Sequence, residues 1–499
     1  MVKKERGMLN GKHRFSDVGF SNSITFAAVR KKNVVLENVP VTAYAAEGKA
    51  LARQDGKVIF IEGGVVPGDV VDVRLSKNKK DWAEGKAVHI HSFSDTRVAP
   101  FCQHFGTCGG CKWQMLPYSL QLEYKQQQVA DHLQRIGKLA LPPMEPILGS
   151  AHTEHYRNKL EFTFSNKAYL TNEEIKANNG EIPVKPALGF HVPKLFDKVL
   201  DINTCYLMQE PVNLIRNTIR EYAIKHELTF YDIRAQQGWL RNLIIRLCTT
   251  GEIMVNLVIR HEDKDNRTAL LDHLLATVPA ITTVLYTINP KGNDSIFDLE
   301  PKVFFGKGYA EEKLENFVFK IGPKSFFQTN TYQGEVLYKV TRDFAGLTGK
   351  ETVYDLYCGT GSIGIFVSRS AGKVIGIELI KEAIDDAREN AARNQVENAT
   401  FFAGDVVDIC DDEFFTHHGQ PDVIITDPPR AGMHEKLVNK LLEIGAPKIV
   451  YVSCNPATQA RDLALLDALY TVEKVQPVDM FPHTHHIENV VLLKKRVNN

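Results

Sequence analysis

Three short stretches near the C-terminus hold residue types suited to nucleophilic and acid–base chemistry. Val452-Ser453-Cys454-Asn455-Pro456 puts a cysteine just after an apolar run, where a thiolate can attack once its pKa is lowered. Ile424-Ile425-Thr426-Asp427-Pro428-Pro429-Arg430 holds an aspartate in a rigid extended turn, because a residue before proline is pushed away from helix. His483-Thr484-His485-His486-Ile487-Glu488 places Glu488 at the head of an otherwise apolar strand. Partial burial there raises a carboxyl toward the range of a useful base.

A fourth stretch is built to hold a ligand. Asp355-Leu356-Tyr357-Cys358-Gly359-Thr360-Gly361-Ser362-Ile363-Gly364 turns from strand into helix with its backbone close to whatever binds. Gly359, Gly361 and Gly364 fit G-x-G-x-x-G, and Glu378 follows 19 residues after the first. That is the dinucleotide fingerprint, so an NAD-dependent oxidoreductase has to be weighed. Asp355 tilts the reading away from it. A pyrophosphate at the helix N-terminus has no use for a carboxylate, whereas a cationic ligand such as S-adenosylmethionine does. Glu378 is placed to hydrogen-bond ribose hydroxyls in either case.

The eight cysteines do not make a disulfide scaffold in a chain of 499 residues. The first twenty residues lack the apolar core of a secretory signal, so a reducing, cytoplasmic compartment is expected. Three thiols cluster in Cys102-Gln-His-Phe-Gly-Thr-Cys108-Gly-Gly-Cys111, where the glycines allow a tight loop. This spacing suits a metal or an iron–sulfur cluster, given one more ligand. Zinc would also accept the three thiolates with His104.

These residues need elements to position them. From residue 322 to 499 strand and helix patterns alternate, which predicts a doubly wound, Rossmann-like α/β domain with ligands beyond the strand ends. Residues 32–91 alternate with period two over five short runs, predicting a small OB-type β-barrel. One of its turns, Ser76 to Trp82, holds three lysines and an aromatic residue, a combination that suits a phosphate backbone and a stacked base. Residues 92–321 read as a mixed α+β central domain. They contain an amphipathic helix near 118–137, which is expected to pack on the catalytic domain, and an exposed loop at Thr171 to Glu181. Residues 1–31 read as a flexible tail.

Composition is that of a globular protein, 43% hydrophobic and 24% charged, with no run long and apolar enough to span a membrane. Net charge is zero but unevenly spread. Residues 1–100 carry 17 Lys/Arg against 11 Asp/Glu, and residues 347–499 carry 15 against 22. A basic front on an acidic back suggests a module facing a polyanion.

With Phe326-Phe327-Gln328, DLYCGTG, DPPRAG, SCNPATQARD, HHIEN and the cysteine set in hand, the chain resembles the RNA uridine C5-methyltransferases. The likeness covers about residues 34–499 and is strongest to the iron–sulfur class that methylates 23S ribosomal RNA. The resemblance implies that the barrel is a TRAM-type RNA-binding module and that Cys205 joins Cys102, Cys108 and Cys111 around a 4Fe–4S cluster. Spacing alone leaves Cys248 equally eligible. It also implies that Gln328, Tyr357, Glu378 and Asp427, with Gly359 and Gly361, line the S-adenosylmethionine pocket. Cys454 would be the nucleophile and Glu488 the base. Ser362 and Asp405 stand where relatives often have asparagine. The expected partner is RNA, ribosomal in the first instance, with no membrane and no obligate protein partner for a monomer. The alternatives are a transfer-RNA uridine C5-methyltransferase, a cytosine C5-methyltransferase, a non-catalytic RNA-binding protein, and an NAD-dependent iron–sulfur oxidoreductase. Arg430, where amino methyltransferases carry an aromatic residue after Asp-Pro-Pro, argues against methylation of exocyclic nitrogen.

Overall fold

The computed structural model describes residues 34–181 and 183–497, so the expected tail at 1–31 lies outside the described residues. The first unit is a closed barrel of β1 (Val35–Tyr44), β2 (Ala50–Gln54), β3 (Lys57–Glu62), β4 (Val70–Asn78) and β5 (Trp82–Ser92), in the order β1-β2-β3-β5-β4. Its period-two alternation turns Val39, Val41, Ala52, Ile59, Ile61, Val71 and Val73 inward. Closure is tight at Gly85, where a Cβ would stand 2.6 Å from the Arg74 carbonyl oxygen. At the lysine-rich turn, Lys77 pairs with Glu84 at 2.7 Å, and the Trp82 ring meets Phe60 edge-on at 6.3 Å. Lys79 and Lys80 remain exposed.

The central sheet has seven strands: β6 (Lys159–Ser165), β7 (Ala187–Val192), β8 (Leu195–Asp201), β9 (Leu240–Leu247), β10 (Ile253–Ile259), β11 (Thr283–Ile288) and β12 (Lys302–Phe305). Their order is β12-β11-β10-β9-β6-β7-β8. Helices Val212–Lys225 and Lys264–Thr277 cover one face over Phe162, Phe164, Leu243, Val255 and Leu257. The stretch expected as an exposed loop instead contains a helix, Asn172–Ala177. Thr171 and Glu174 close a capping box at its start, each side chain bonding the other's backbone N–H.

The hairpin of β13 (Ala310–Leu314) and β14 (Phe317–Ile321) falls in the segment assigned by sequence to the central domain. It packs elsewhere: Leu314, Phe317, Phe319 and Ile321 enter the core of the C-terminal domain. That domain is a seven-stranded sheet of β15 (Thr352–Leu356), β16 (Lys373–Glu378), β17 (Ala399–Ala403), β18 (Val423–Thr426), β19 (Lys448–Ser453), β20 (Tyr470–Val478) and β21 (Glu488–Lys495). The order is β17-β16-β15-β18-β19-β21-β20, with every strand running the same way except β21. Strand order reverses between β15 and β18, and a ligand crevice opens at such a switch point. Helix Tyr118–Arg135 comes from the central segment but buries Val129 and Leu133 in this domain's core.

Candidate active site

β15 ends in a turn with positive φ at Tyr357, Gly359 and Gly361. Gly361 has no room for a side chain, since a Cβ would lie 3.0 Å from Ala387 Cβ and from the Phe401 ring. Gly359 faces open space. Beneath the turn, Asp355 is buried; its Oδ2 accepts from Gly364 N at 2.8 Å, and its Oδ1 has no partner. Burial, with Asp427 and Glu378 nearby, pushes its carboxyl up to about 8. A buried acid left half-satisfied and facing other acids is a place for a cation.

This pushed-up carboxyl carries a stability prediction. The folded state holds the Asp355 proton to higher pH than the unfolded chain does, whose carboxyl titrates near 3.8. Its contribution is therefore fully present below pH 3.8 and is lost as pH rises toward about 8. Asp355→Asn keeps an acceptor for Gly364 N. In ligand-free protein it is expected to be more stable than wild type at pH 8, with the gap closing on acidification. Denaturant melts across that range check it, and a gap independent of pH would contradict the assignment.

β16 delivers Glu378, which accepts from Gly359 N at 3.3 Å and from Ile380 N at 3.0 Å. The next two residues, Leu379 and Ile380, are 70% and 58% exposed and form an apolar shelf that sequence reasoning missed. Tyr357 is half-buried, its phenol raised by that burial. Gln328 is buried between β14 and helix Thr331–Ala345, with its carbonyl accepting from Asn158 Nδ2 at 2.8 Å. Two residues before it, Phe326 is 71% exposed, while Phe327 is buried.

β18 and β19 deliver the remaining groups. Asp427 follows β18, and burial pushes its carboxyl up to about 7. Cys454 follows β19. Its turn is tied to the Asp-Pro-Pro-Arg turn because Asn455 Nδ2 and Thr458 Oγ1 both donate to the Arg430 carbonyl, at 3.0 and 3.2 Å. β19 and β21 run antiparallel with Ser453 opposite Asn489, and continuing that register sets Cys454 opposite Glu488. Glu488 is 5% exposed, and burial, reinforced by Asp427, raises its carboxyl well above the usual range. Burial, then Glu488 and Asp427, push the Cys454 thiol up to about 12. Arg430 pulls the other way on both groups. The sequence suggested Arg430 only as the absence of an aromatic residue; here it is the cation that offsets a crowd of acids.

The cysteine residues converge at a second place. Cys102, Cys108, Cys111 and Cys205 line one cavity of about 340 Å³ against the central sheet, and Cys248 lies apart, packed with Met254, Leu285 and Ala310. Cys102, Cys108 and Cys205 each lie near enough to another of the set to raise its thiol, and burial pushes Cys108 to about 11 and Cys111 to about 12. His104 lines the same cavity. Among the described residues no group of three or more His, Cys, Asp or Glu side chains is spaced to hold a single metal ion. No helix among them is long and apolar enough to cross a membrane.

A doubly wound sheet with one antiparallel strand, a glycine turn at its switch point and a cysteine opposite a carboxyl on the neighbouring β19 and β21 defines a methyltransferase-type α/β domain. The sequence profile of the tRNA (uracil-5-)-methyltransferase family matches residues 297–496. An RNA methyltransferase of Bacteroides thetaiotaomicron is 57% identical over 456 residues, covering 91% of this chain and all of that protein. One from Chlorobaculum tepidum is 40% identical over 470 residues, covering 93% and 97%. Among solved structures, the Pyrococcus abyssi tRNA (uracil-54, C5)-methyltransferase in complex with S-adenosyl-L-homocysteine superposes with a TM-score of 0.70. It is 27% identical, covering 92% of this chain and 100% of that one. The chain belongs to the RNA uridine C5-methyltransferase family.

Proposed function

We propose that this protein forms 5-methyluridine in RNA, with S-adenosylmethionine as methyl donor, Cys454 as nucleophile and Glu488 as base. The observation that carries the reading is the register of β19 and β21, which sets a thiol and a buried carboxyl opposite each other beside Asp427 and Arg430. The residues fit the donor. Asp355, with its orphaned Oδ1, and Asp427 offer negative charge to a cation, Glu378 offers acceptors to ribose hydroxyls, and Leu379 and Ile380 offer an apolar shelf to adenine. Gly359, Gly361, Tyr357 and Gln328 complete the walls. When bound, S-adenosylmethionine supplies a methyl group made electrophilic by its sulfonium.

The protein's own groups do the rest. Cys454 adds through sulfur to C6 of uracil, and the displaced π electrons make C5 enolate-like. After C5 has been methylated, Glu488 removes its proton. That C–H pair reforms the C5–C6 double bond, and the sulfur leaves with its own pair. Holding thiol, base and ring together converts encounters into intramolecular steps. The target base must leave its stack at a cost of a few kcal/mol. Exposed Phe326 beside Gln328, and the barrel's Lys79, Lys80 and Trp82, offer flanking RNA contacts that offset it. The test is methylation of separated ribosomal and transfer RNA, followed by digestion to nucleosides. Appearance of 5-methyluridine supports the reading, and an RNA methylated elsewhere sinks it.

The substrate favoured is 23S ribosomal RNA, and transfer RNA, the substrate named for the Pyrococcus relative, is the alternative outcome of that test. The support for ribosomal RNA is the four-thiol cavity, through its likeness to the iron–sulfur class. Four thiols lining one cavity of about 340 Å³ offer a fourth thiolate in place of His104, which supports a 4Fe–4S cluster held by Cys102, Cys108, Cys111 and Cys205 over a zinc ion held by three of them and His104. Its iron would offset the charge of four converging thiolates. Anaerobically purified protein should carry iron and sulfide in equal amounts with a visible chromophore; one zinc per chain would refute the cluster. The glycine fingerprint leaves NAD as the rival ligand, and the Asp355 carboxyl beneath the turn opposes a pyrophosphate there.

A further inference from the structure

The connection from β20 to β21 runs from Asp479 to Ile487 and hands the chain to Glu488. One carbonyl joins it to the cysteine loop. His483 O accepts from Lys112 N at 2.8 Å and from Trp113 N at 3.0 Å, the two residues that follow Cys111. Gln121, fully buried on helix Tyr118–Arg135, clamps both sides. Its Oε1 accepts from His483 N at 2.8 Å, and its Nε2 donates to the Trp113 and Leu116 carbonyls at 3.0 Å each and lies 3.2 Å from His483 Nδ1.

Contacts beside this joint run the same way. Phe101, next to Cys102, meets the His483 ring at 5.1 Å and the ring of Tyr206, next to Cys205, at 5.4 Å. Arg157 lines the four-cysteine cavity and lies over the Phe481 ring at 5.2 Å. At the start of the connection, Lys125 on the same helix pairs with Asp479 at 2.6 Å, both buried, and Tyr118 donates to the other Asp479 oxygen at 2.8 Å. His483 Nε2 and Trp113 Nε1 are buried without a partner, but the backbone groups at the joint are held by several buried hydrogen bonds and have few alternative arrangements, so a shift at one end is felt at the other. Cys454 is held differently. It comes from β19, and its turn is fastened to Arg430 through Asn455 and Thr458.

We propose that Gln121, acting with the His483 carbonyl, is a positioning joint through which the four-cysteine loop holds Glu488. The loop then governs proton removal from C5 and release of the RNA, and leaves attack by Cys454 untouched. This rests on the reading of Cys454 as nucleophile and Glu488 as base.

Two rates separate these steps. Covalent trapping on RNA containing 5-fluorouridine reports attack and methylation alone, because fluorine cannot leave as a proton. The lifetime of the covalent complex on uridine RNA reports proton removal. Gln121→Met keeps the side-chain length and removes every hydrogen bond. It is expected to trap as fast as wild type while the complex on uridine RNA lives about 10–100 times longer, the cost of a base displaced by a fraction of an ångström to an ångström. Gln121→Glu keeps the acceptor for His483 N and loses the donors to Trp113 and Leu116. It should show an intermediate lifetime, and it carries the same comparison should the methionine variant not fold. Trapping slowed as much as release would make the joint a general scaffold, and unchanged release would make it idle; either overturns the proposal. Glu488→Gln, run alongside, separates the two failures. Wild-type release there sinks the assignment of the base, and the joint with it.

Discussion

Cys454→Ala is expected to leave no covalent complex on RNA containing 5-fluorouridine and to lose turnover on uridine RNA by at least about 10⁵-fold, the scale of an intramolecular nucleophile. C5 of uracil is an sp² carbon without anionic character, and nothing else in the site makes it one. Asp427 and Glu488 are acids pushed upward, and Arg430 offers charge but no electron pair. Loss of a half-buried thiol at the end of β19 removes no hydrogen bond that ties the turn, since those belong to Asn455 and Thr458. The variant should therefore fold and bind RNA. In the free wild-type protein the thiol lies near 12, so alkylation at neutral pH should be slow, and it should speed up with rising pH. A complex that persists in Cys454→Ala would move the nucleophile elsewhere. No complex with the wild-type protein would sink methylation at uracil C5.

The strand ends were legible because each needs a residue type that a strand does not otherwise call for: an aspartate before two prolines, a cysteine before Asn-Pro, and a glutamate opening an apolar run. The structure brings these to one sheet edge. The barrel was legible from its alternation. Helix Asn172–Ala177 was missed because it has no apolar face to show a period, although Thr171 and Glu174 carry the start signal. The hairpin of β13 and β14 was assigned to the wrong side of a boundary because a strand's pattern shows that it has a buried face, not which core that face enters. Helix Tyr118–Arg135 was expected to pack on the catalytic domain, but its inner stripe of Gln121, Lys125, Val129 and Leu133 holds two polar residues whose burial the pattern did not show. They are inside because partners 354 to 362 residues away satisfy them, which no local pattern reveals. Arg430 was undervalued likewise, since its effect depends on acids contributed by other strands.

Glu488→Gln should separate bond formation from release. Attack and methylation do not require a base at C5, so the variant is expected to form the covalent complex on ordinary uridine RNA. It should then hold it, with release slowed by about 10²–10⁴-fold, the usual worth of a positioned base. The pH dependence follows from the surroundings. Burial and the neighbouring Asp427 raise the Glu488 carboxyl, against the pull of Arg430, so in the free site it keeps its proton where an exposed glutamate would not. Only the deprotonated form can accept the C5 proton. Wild-type release should therefore rise with pH, about tenfold per unit below the pKa of the group, and level off above it. In the glutamine variant that slope should vanish, because glutamine does not titrate. Arg430→Leu should move the inflection upward, since the group that favours the charged carboxylate is gone. Single-turnover rates from pH 6 to 9, with covalent and free RNA separated under denaturing conditions, measure all three. A glutamine variant that releases RNA with the wild-type slope would show that another group takes the proton. The register that sets Cys454 opposite Glu488 would then bind the base ring without completing the reaction.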